Sequence, residues 1–396
     1  ASVLLVTRIA RRLFGSTLLG AMAGLLVALD GMHVVMSRTA LLDIFLMFFI
    51  LAAFGALLRD RDDRRRRWLA ALEDGVDPER AQRTRLATLP WWRLAAAVLL
   101  GCALGVKWSA IWFVPVFGLL VLVWEAGARR SAGVARPWRG TLWELPGLVG
   151  AGFVILGTYV ATWTGWFVTD HGYFRHLRAD MGQSEPPVIG ALLNLAHYHQ
   201  EALKFHHGLD SYHPYQSWPW QWLLLAGPTT FHWSGEGPCG APSCASEVVL
   251  LGTPALWWAF LPALAVLIWV GIARRDWRAA AILLSAAAGI VPWFLYVDRT
   301  MFYFYALPSE PFLVLAVVYV LGALMTPGPN GRQTILGFDR RMLGTVVAGT
   351  FMLLVAFNFM YFYPIYTGEV ITYDEWRARM WMGNRWIEPN PSPTSS

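Results

Sequence analysis

The sequence predicts an all-α, polytopic integral membrane protein, and three observations carry that prediction. Of 396 residues, 56% are hydrophobic and only 15% are charged, whereas ordinary soluble domains carry about 25% charged residues. Apolar runs approaching the roughly 20 residues that a membrane helix needs recur along the chain. Arginine clusters alternate with these runs and form no single basic patch. The net charge of +6 therefore reads as a topology signal and implies no nucleic-acid partner.

The elements follow in order. Residues 1–7 are apolar but too short to span, and Arg8, Arg11 and Arg12 follow as the cytoplasmic flank of a helix. This beginning reads as the remaining half of a helix in an N-terminally truncated chain. Apolar runs lie at 15–36, 39–58, 94–124, 143–163, 250–272, 279–297, 302–324 and 342–361, and arginine clusters at 8–12, 59–93, 129–139, 274–278 and 332–341. All five clusters share one side only if 94–124 crosses twice or re-enters. Lys107 interrupts that run, which therefore divides into 94–106 and 108–124, with Lys107 near the outer turn or in a polar cavity. Nine complete spans plus the initial stub result.

Four regions follow. Residues 1–163 form the N-terminal part of the transmembrane domain, with 59–93 as a solvated cytoplasmic loop. A large extracytoplasmic loop occupies 164–249, the C-terminal transmembrane helices 250–361, and an extracytoplasmic tail 362–396 ending in a Pro/Ser stretch that reads as disordered. Eight of the nine histidines fall within the outer loop, among dense Trp and Tyr. That composition suits amphipathic helices and a lid lying at the membrane interface.

Charges set into apolar runs mark candidate function, because each costs about 2.5–3.5 kcal/mol on insertion scales. If 21–37 is one helix, Asp30, His33 and Ser37 share a face. Arg38 and Asp43 stand about 140° apart around a helix and cannot pair within it, so each needs a partner elsewhere. Asp43 reads as a residue holding helices in register, and Ser37 as a cap for a helix starting at Arg38. Arg38 and Lys107 share a predicted depth and suggest a clamp for a lipid phosphate, which needs positive charge where its negative charge develops. Asp298 and Arg299 fall in a short outer turn before Tyr303 and Tyr305, readable as an aromatic belt or as a third functional group. The outer-loop histidines lack carboxylates at ligand-like spacing, and no metal site is expected. Cys239 and Cys244 form a candidate disulfide in an oxidising outer loop; Cys102 reads as helix packing.

The stretches LDGMHVVMSRTALLDIFLMF, GCALGVKWSAIWF, HPYQSWPWQWLLL, DRTMFYFYALPSEPF and YPIYTGEVITYDEWRARMW resemble the protein O-mannosyltransferase family in its actinobacterial form. The resemblance covers essentially the whole chain. It implies a GT-C fold with about eleven transmembrane helices, about ten of them here, at about 20 residues each. It implies a cell-membrane enzyme that moves mannose from polyprenyl-phosphate-mannose to Ser or Thr of exported proteins on the outer face. Arg38 and Lys107 would contact the lipid phosphate, in agreement with the clamp. Candidate sugar, acceptor or lipid contacts are Arg299, Tyr303, Tyr305, His213, Tyr215 and Trp220. The family's catalytic Asp-Glu pair sits in a first outer loop that this sequence does not contain, so Asp30 is a weak candidate base and the chain alone is expected to be inactive. No cofactor is expected beyond the donor lipid. Expected partners are the bilayer, that donor, and Ser/Thr-rich exported polypeptides, with the secretion machinery as one delivery route. Two alternatives stay open: a polyprenyl-phosphate-sugar transferase acting on a glycolipid or wall glycan, and a transporter, although the repeated halves common in transporters are not evident.

Overall fold

In a computed structural model, which describes residues 1–84, 90–326, 334, 335 and 338–388, the chain is a helical bundle with a small sheet at one end. Seven helices among the described residues are long and apolar enough to cross a membrane, or eight if one bent pair counts as a span. The Pro/Ser end at 389–396 lies outside the described residues, as do Arg85 and Arg332 of two arginine clusters.

Helix α1 (Ser2–Phe14) packs beside α2 (Thr17–Ala28), whose first turn is capped by the Ser16 hydroxyl accepting from the Leu19 amide. The run expected to be one helix over 15–36 is broken: α2 and α3 (Gly31–Thr39) meet at a 60° bend. The cause is Asp30, an N-cap whose carboxylate accepts from the His33 amide at 3.3 Å, the Thr253 amide at 2.9 Å and the Trp257 indole at 2.9 Å. Asp30, His33 and Ser37 therefore do not line one continuous helix, and Ser37 lies inside α3 rather than capping a later one. Gly31 admits the bend's close packing, since a Cβ there would sit 2.2 Å from the Tyr366 ring.

The break at Lys107 is observed. Helix α4 is Leu42–Glu73, α5 is Trp91–Val106, and a 3-10 turn at Trp108–Trp112 leads into α6 (Phe113–Ser131). Lys107 is extended, with φ −157° and ψ 133°, between the two helical directions. Helix α7 (Leu145–Thr162) lies close against α5; a Cβ on Gly101 would sit 2.5 Å from Thr158 Cβ, the small-residue packing typical of membrane helices.

The segment 59–93, expected as a solvated loop, is instead helical through Glu73 and carries a buried ion network. Arg64 donates to Glu125 at 2.7 Å and Glu144 at 2.5 Å. Arg93 donates to Asp60 at 2.9 Å and Glu144 at 2.8 Å. Arg129 donates to Glu125 at 2.8 Å and Glu144 at 2.6 Å. Three guanidiniums thus balance three carboxylates, and mutual neutralisation lets all six be buried.

The remaining spans are α9 (Pro254–Ala273), α10 (Trp277–Ile290), α11 (Glu310–Met325) and α12 (Arg340–Thr367). Between α7 and α9 the connecting segment contains α8 (Ile189–His207) and an antiparallel hairpin of β1 (Thr229–Ser234) and β2 (Cys244–Leu250). The segment after α12 adds β3 (Ile371–Thr372) to β2, pairing Ala245 with Ile371. It is anchored further by the Trp376 indole on Glu247 at 2.6 Å and the Trp386 indole on the Leu225 carbonyl at 2.6 Å. Cys239 and Cys244 are joined in a disulfide beside the hairpin.

Candidate active site

At the end of α5 opposite the ion network, about 21 Å from Arg93 by helical rise, a cavity of about 530 Å³ opens. The Lys107 turn, α7, α8 and the segment at 291–305 enclose it. Lys107 Nζ donates to both oxygens of Asp43, at 2.8 and 3.0 Å, and lies 3.9 Å from the centre of the Tyr305 ring. Asp43 sits in the first turn of α4, where the helix dipole favours an anion. Its side chain is 4% exposed and that of Lys107 is 21% exposed, so the ammonium reaches the cavity while its counter-ion does not.

Arg299 supplies the second cation. Its turn is tied to the segment that follows α8 by the Thr300 amide donating to the Leu209 carbonyl at 3.0 Å. One guanidinium nitrogen donates to His206 Nδ1 at 3.4 Å, and the group lies 5.9 Å from the Trp293 ring centre. His206 lines the same cavity, where partial burial first and then the Arg299 and Lys107 charges push its pKa below the ordinary 6.5. At neutral pH this imidazole is neutral.

A polar chain stiffens one wall. The Trp108 indole donates to Tyr159 Oη at 2.9 Å, and Tyr159 Oη lies 2.5 Å from His199 Nε2. His199 Nδ1 is 2.7 Å from the Leu195 carbonyl, which assigns the proton to Nδ1 and leaves Nε2 to accept from the tyrosine. Trp108 stacks on His199 at 5.2 Å. Apolar and aromatic walls around a few convergent cations suit a ligand with a lipid body and an anionic head.

Of the candidate residues, the cavity brings together Lys107, Arg299 and Tyr305. Arg38 is exposed on the last turn of α3 and does not line the cavity, although Leu42 four residues on does. Tyr303 turns away into the core against Trp257, at 5.1 Å. His213, Tyr215 and Trp220 lie outside the lining: His213 accepts from the Tyr215 amide at 3.1 Å and Trp220 stacks on Trp218. Asp30 is fully buried and occupied by three donors. Among the described lining residues there is no carboxylate, and no group of three His, Cys, Asp or Glu among the described residues is arranged to hold a metal. Tyr159 was not legible in the sequence, and His199 and His206 stood out only as members of a histidine-rich segment, because only the fold brings α7 and α8 to the Lys107 turn.

Residues 1–130 match the family described as dolichyl-phosphate-mannose-protein mannosyltransferase, and residues 192–386 match the C-terminal four-transmembrane region of protein-O-mannosyltransferase. A polyprenol-phosphate-mannose–protein mannosyltransferase of Mycobacterium tuberculosis (strain CDC 1551 / Oshkosh) is 41% identical, over 96% of this chain and 73% of its own length. A protein of the same name from Corynebacterium glutamicum is 32% identical, over 96% and 74%. The fold is similar to one chain of the Saccharomyces cerevisiae protein O-mannosyltransferase Pmt1-Pmt2 complex bound to the sugar donor. The TM-score is 0.65 at 14% identity, covering 93% of this chain and 77% of that one.

Proposed function

The chain belongs to the protein O-mannosyltransferase family, and from that premise we propose that it transfers mannose from polyprenyl-phosphate-mannose to Ser or Thr hydroxyls of exported proteins. It is a multi-pass membrane glycosyltransferase of GT-C fold. In our reading the reaction is an inverting displacement at the outer face of the cell membrane. The orientation rests on the arginine clusters lying toward the end of the bundle away from the cavity.

One observation carries the site assignment: two cations, Lys107 and Arg299, converge on one aromatic-walled cavity. The acceptor oxygen attacks the anomeric carbon, the bond from that carbon to the phosphate oxygen breaks, and the hydroxyl proton passes to a base. Lys107 and Arg299 hold the charge that develops on the leaving phosphate, and Asp43 keeps the Lys107 ammonium in place. The departing phosphate is already a weak base and needs no general acid. Arg38, exposed four residues before the cavity-lining Leu42, is in our reading a third cation for the donor head group. The aromatic walls take the first part of the polyprenyl chain. We place the base outside this cavity, because the described lining offers no carboxylate.

The test is transfer of radiolabelled mannose from the polyprenyl donor by the intact protein in detergent, with a Thr-rich peptide and a membrane glycolipid offered together. Label in the peptide, released by β-elimination, is the expected result. Label in the glycolipid alone would replace this reading with that of a glycolipid or wall-glycan transferase.

A further inference from the structure

A second cavity, of about 670 Å³, lies at the opposite end of the bundle, between α1, α4 and the start of α5. Four arginines line it: Arg8, Arg11, Arg12 and Arg59. Arg12 is paired with Asp62 at 2.5 Å, and the Arg59 guanidinium lies 4.7 Å from the centre of the Trp92 ring. Arg8 and Arg11 make no ion pair among the described residues, and no carboxylate is among the described lining residues. About three positive charges are therefore uncompensated around one concave surface. The nearby acids are committed elsewhere: Asp60 to Arg93, and Asp63 to Arg66 and Arg67.

The rest of the lining is apolar apart from the Trp92 indole, and includes Leu5 of α1 and Leu99 of α5. Trp92 is 37% exposed at the junction between the two zones, where an amphipathic ring belongs at a membrane interface. We propose that this cavity binds an anionic glycerophospholipid, its phosphate among Arg8, Arg11 and Arg59 and its acyl chains on the apolar floor. A basic pocket between membrane helices is the arrangement that recognises such head groups. A free phosphate ion would satisfy the arginines but leave the floor and most of the volume unused, since cavities of this size enclose whole small molecules.

The experiment is native mass spectrometry of the intact protein, extracted from vesicles of phosphatidylcholine containing phosphatidylglycerol. Retention of phosphatidylglycerol in preference to phosphatidylcholine is expected. Arg8→Gln with Arg11→Gln should weaken that binding by roughly 30-fold, at about fivefold per charge removed. Arg8→Lys with Arg11→Lys should largely keep it, and Arg136→Gln with Arg139→Gln, outside the cavity, should not alter it. If the double glutamine variant does not fold, Arg59→Gln alone should show about a fivefold loss. Equal retention of the neutral lipid, or undiminished phosphatidylglycerol binding in the glutamine variants, would overturn the proposal. Displacement of the lipid by millimolar inorganic phosphate would also overturn it, in favour of a free-anion site.

Discussion

Asp43→Asn tests the cavity most directly, because it removes the counter-ion of Lys107 without touching the cavity wall. At 2.8 Å and an effective dielectric of about 20, the pair's Coulomb attraction is about 6 kcal/mol. Desolvation of both groups offsets much of that, and breaking a buried pair typically costs about 3–5 kcal/mol. With the Lys107 side chain 21% exposed, the low end applies to Asp43→Asn, about 3 kcal/mol. Lys107→Met strands an almost fully buried carboxylate and should cost about 4 kcal/mol. The double variant strands neither charge, so it should be more stable than the sum of the singles by about 2–3 kcal/mol. Turnover separates structure from chemistry. The double variant should lie about 4–5 kcal/mol below wild type in place of the roughly 7 that additivity gives, and stay about 100-fold or more below wild type in mannosyl transfer, because the leaving phosphate has lost a cation. Unfolding in detergent and single-turnover transfer are the two measurements. Additive stability losses would refute the pairing, and near-normal transfer by the double variant would refute the role of Lys107.

Arg299→Gln should reduce transfer by about tenfold or more without shifting the unfolding midpoint; unchanged transfer would remove Arg299 from the site. Glu144→Gln should destabilise by about 3 kcal/mol or more, since Arg64, Arg93 and Arg129 all donate to this carboxylate, while specific activity of the folded fraction stays near wild type. Loss of activity without loss of stability would contradict a structural role. Burial raises the Glu247 carboxyl above 4.5, despite donation from Trp376 and Thr230. A raised folded-state pKa means that the native protein binds the proton more tightly, so stability rises as pH falls from above that pKa toward 4.5. Wild type should therefore gain on Glu247→Gln as pH falls through this window, and a gap independent of pH in thermal unfolding would reject the assignment.

Much of the fold was legible because a membrane span is a local property. About twenty consecutive apolar residues read as a span wherever they pack, and α9, α10, α11 and α12 appear close to their expected places, while α4 starts close to where expected and runs on to Glu73. Lys107 was visible as a break for the same reason: a lysine costs too much in the middle of an apolar run to pass unnoticed. The errors lie where distance in sequence matters. The solvated reading of 59–93 failed because Arg64 and Arg93 find partners on or beside α6 and α7, at Glu125 and Glu144, while Asp60 accepts from Arg93, and charge density alone looks the same in a network and in a loop. The straight helix over 15–36 failed because the donors that stabilise Asp30 as a cap, Thr253 and Trp257, lie more than two hundred residues away.

The sequence by itself determined the membrane class, the position of the Lys107 break, the candidate disulfide and the family motifs. All of these follow from composition and spacing within a few turns of chain. It overcounted the spans: nine and a stub were expected, and seven helices among the described residues, or eight with the bent pair, are long and apolar enough to cross. Only the tertiary structure decided that Lys107 pairs with Asp43, 64 residues away, that Arg299 rather than Arg38 shares its cavity, and that the terminal segment completes a small sheet. These are choices among several chemically equivalent partners, and the packing of whole helices selects which charges come within a few ångströms of one another.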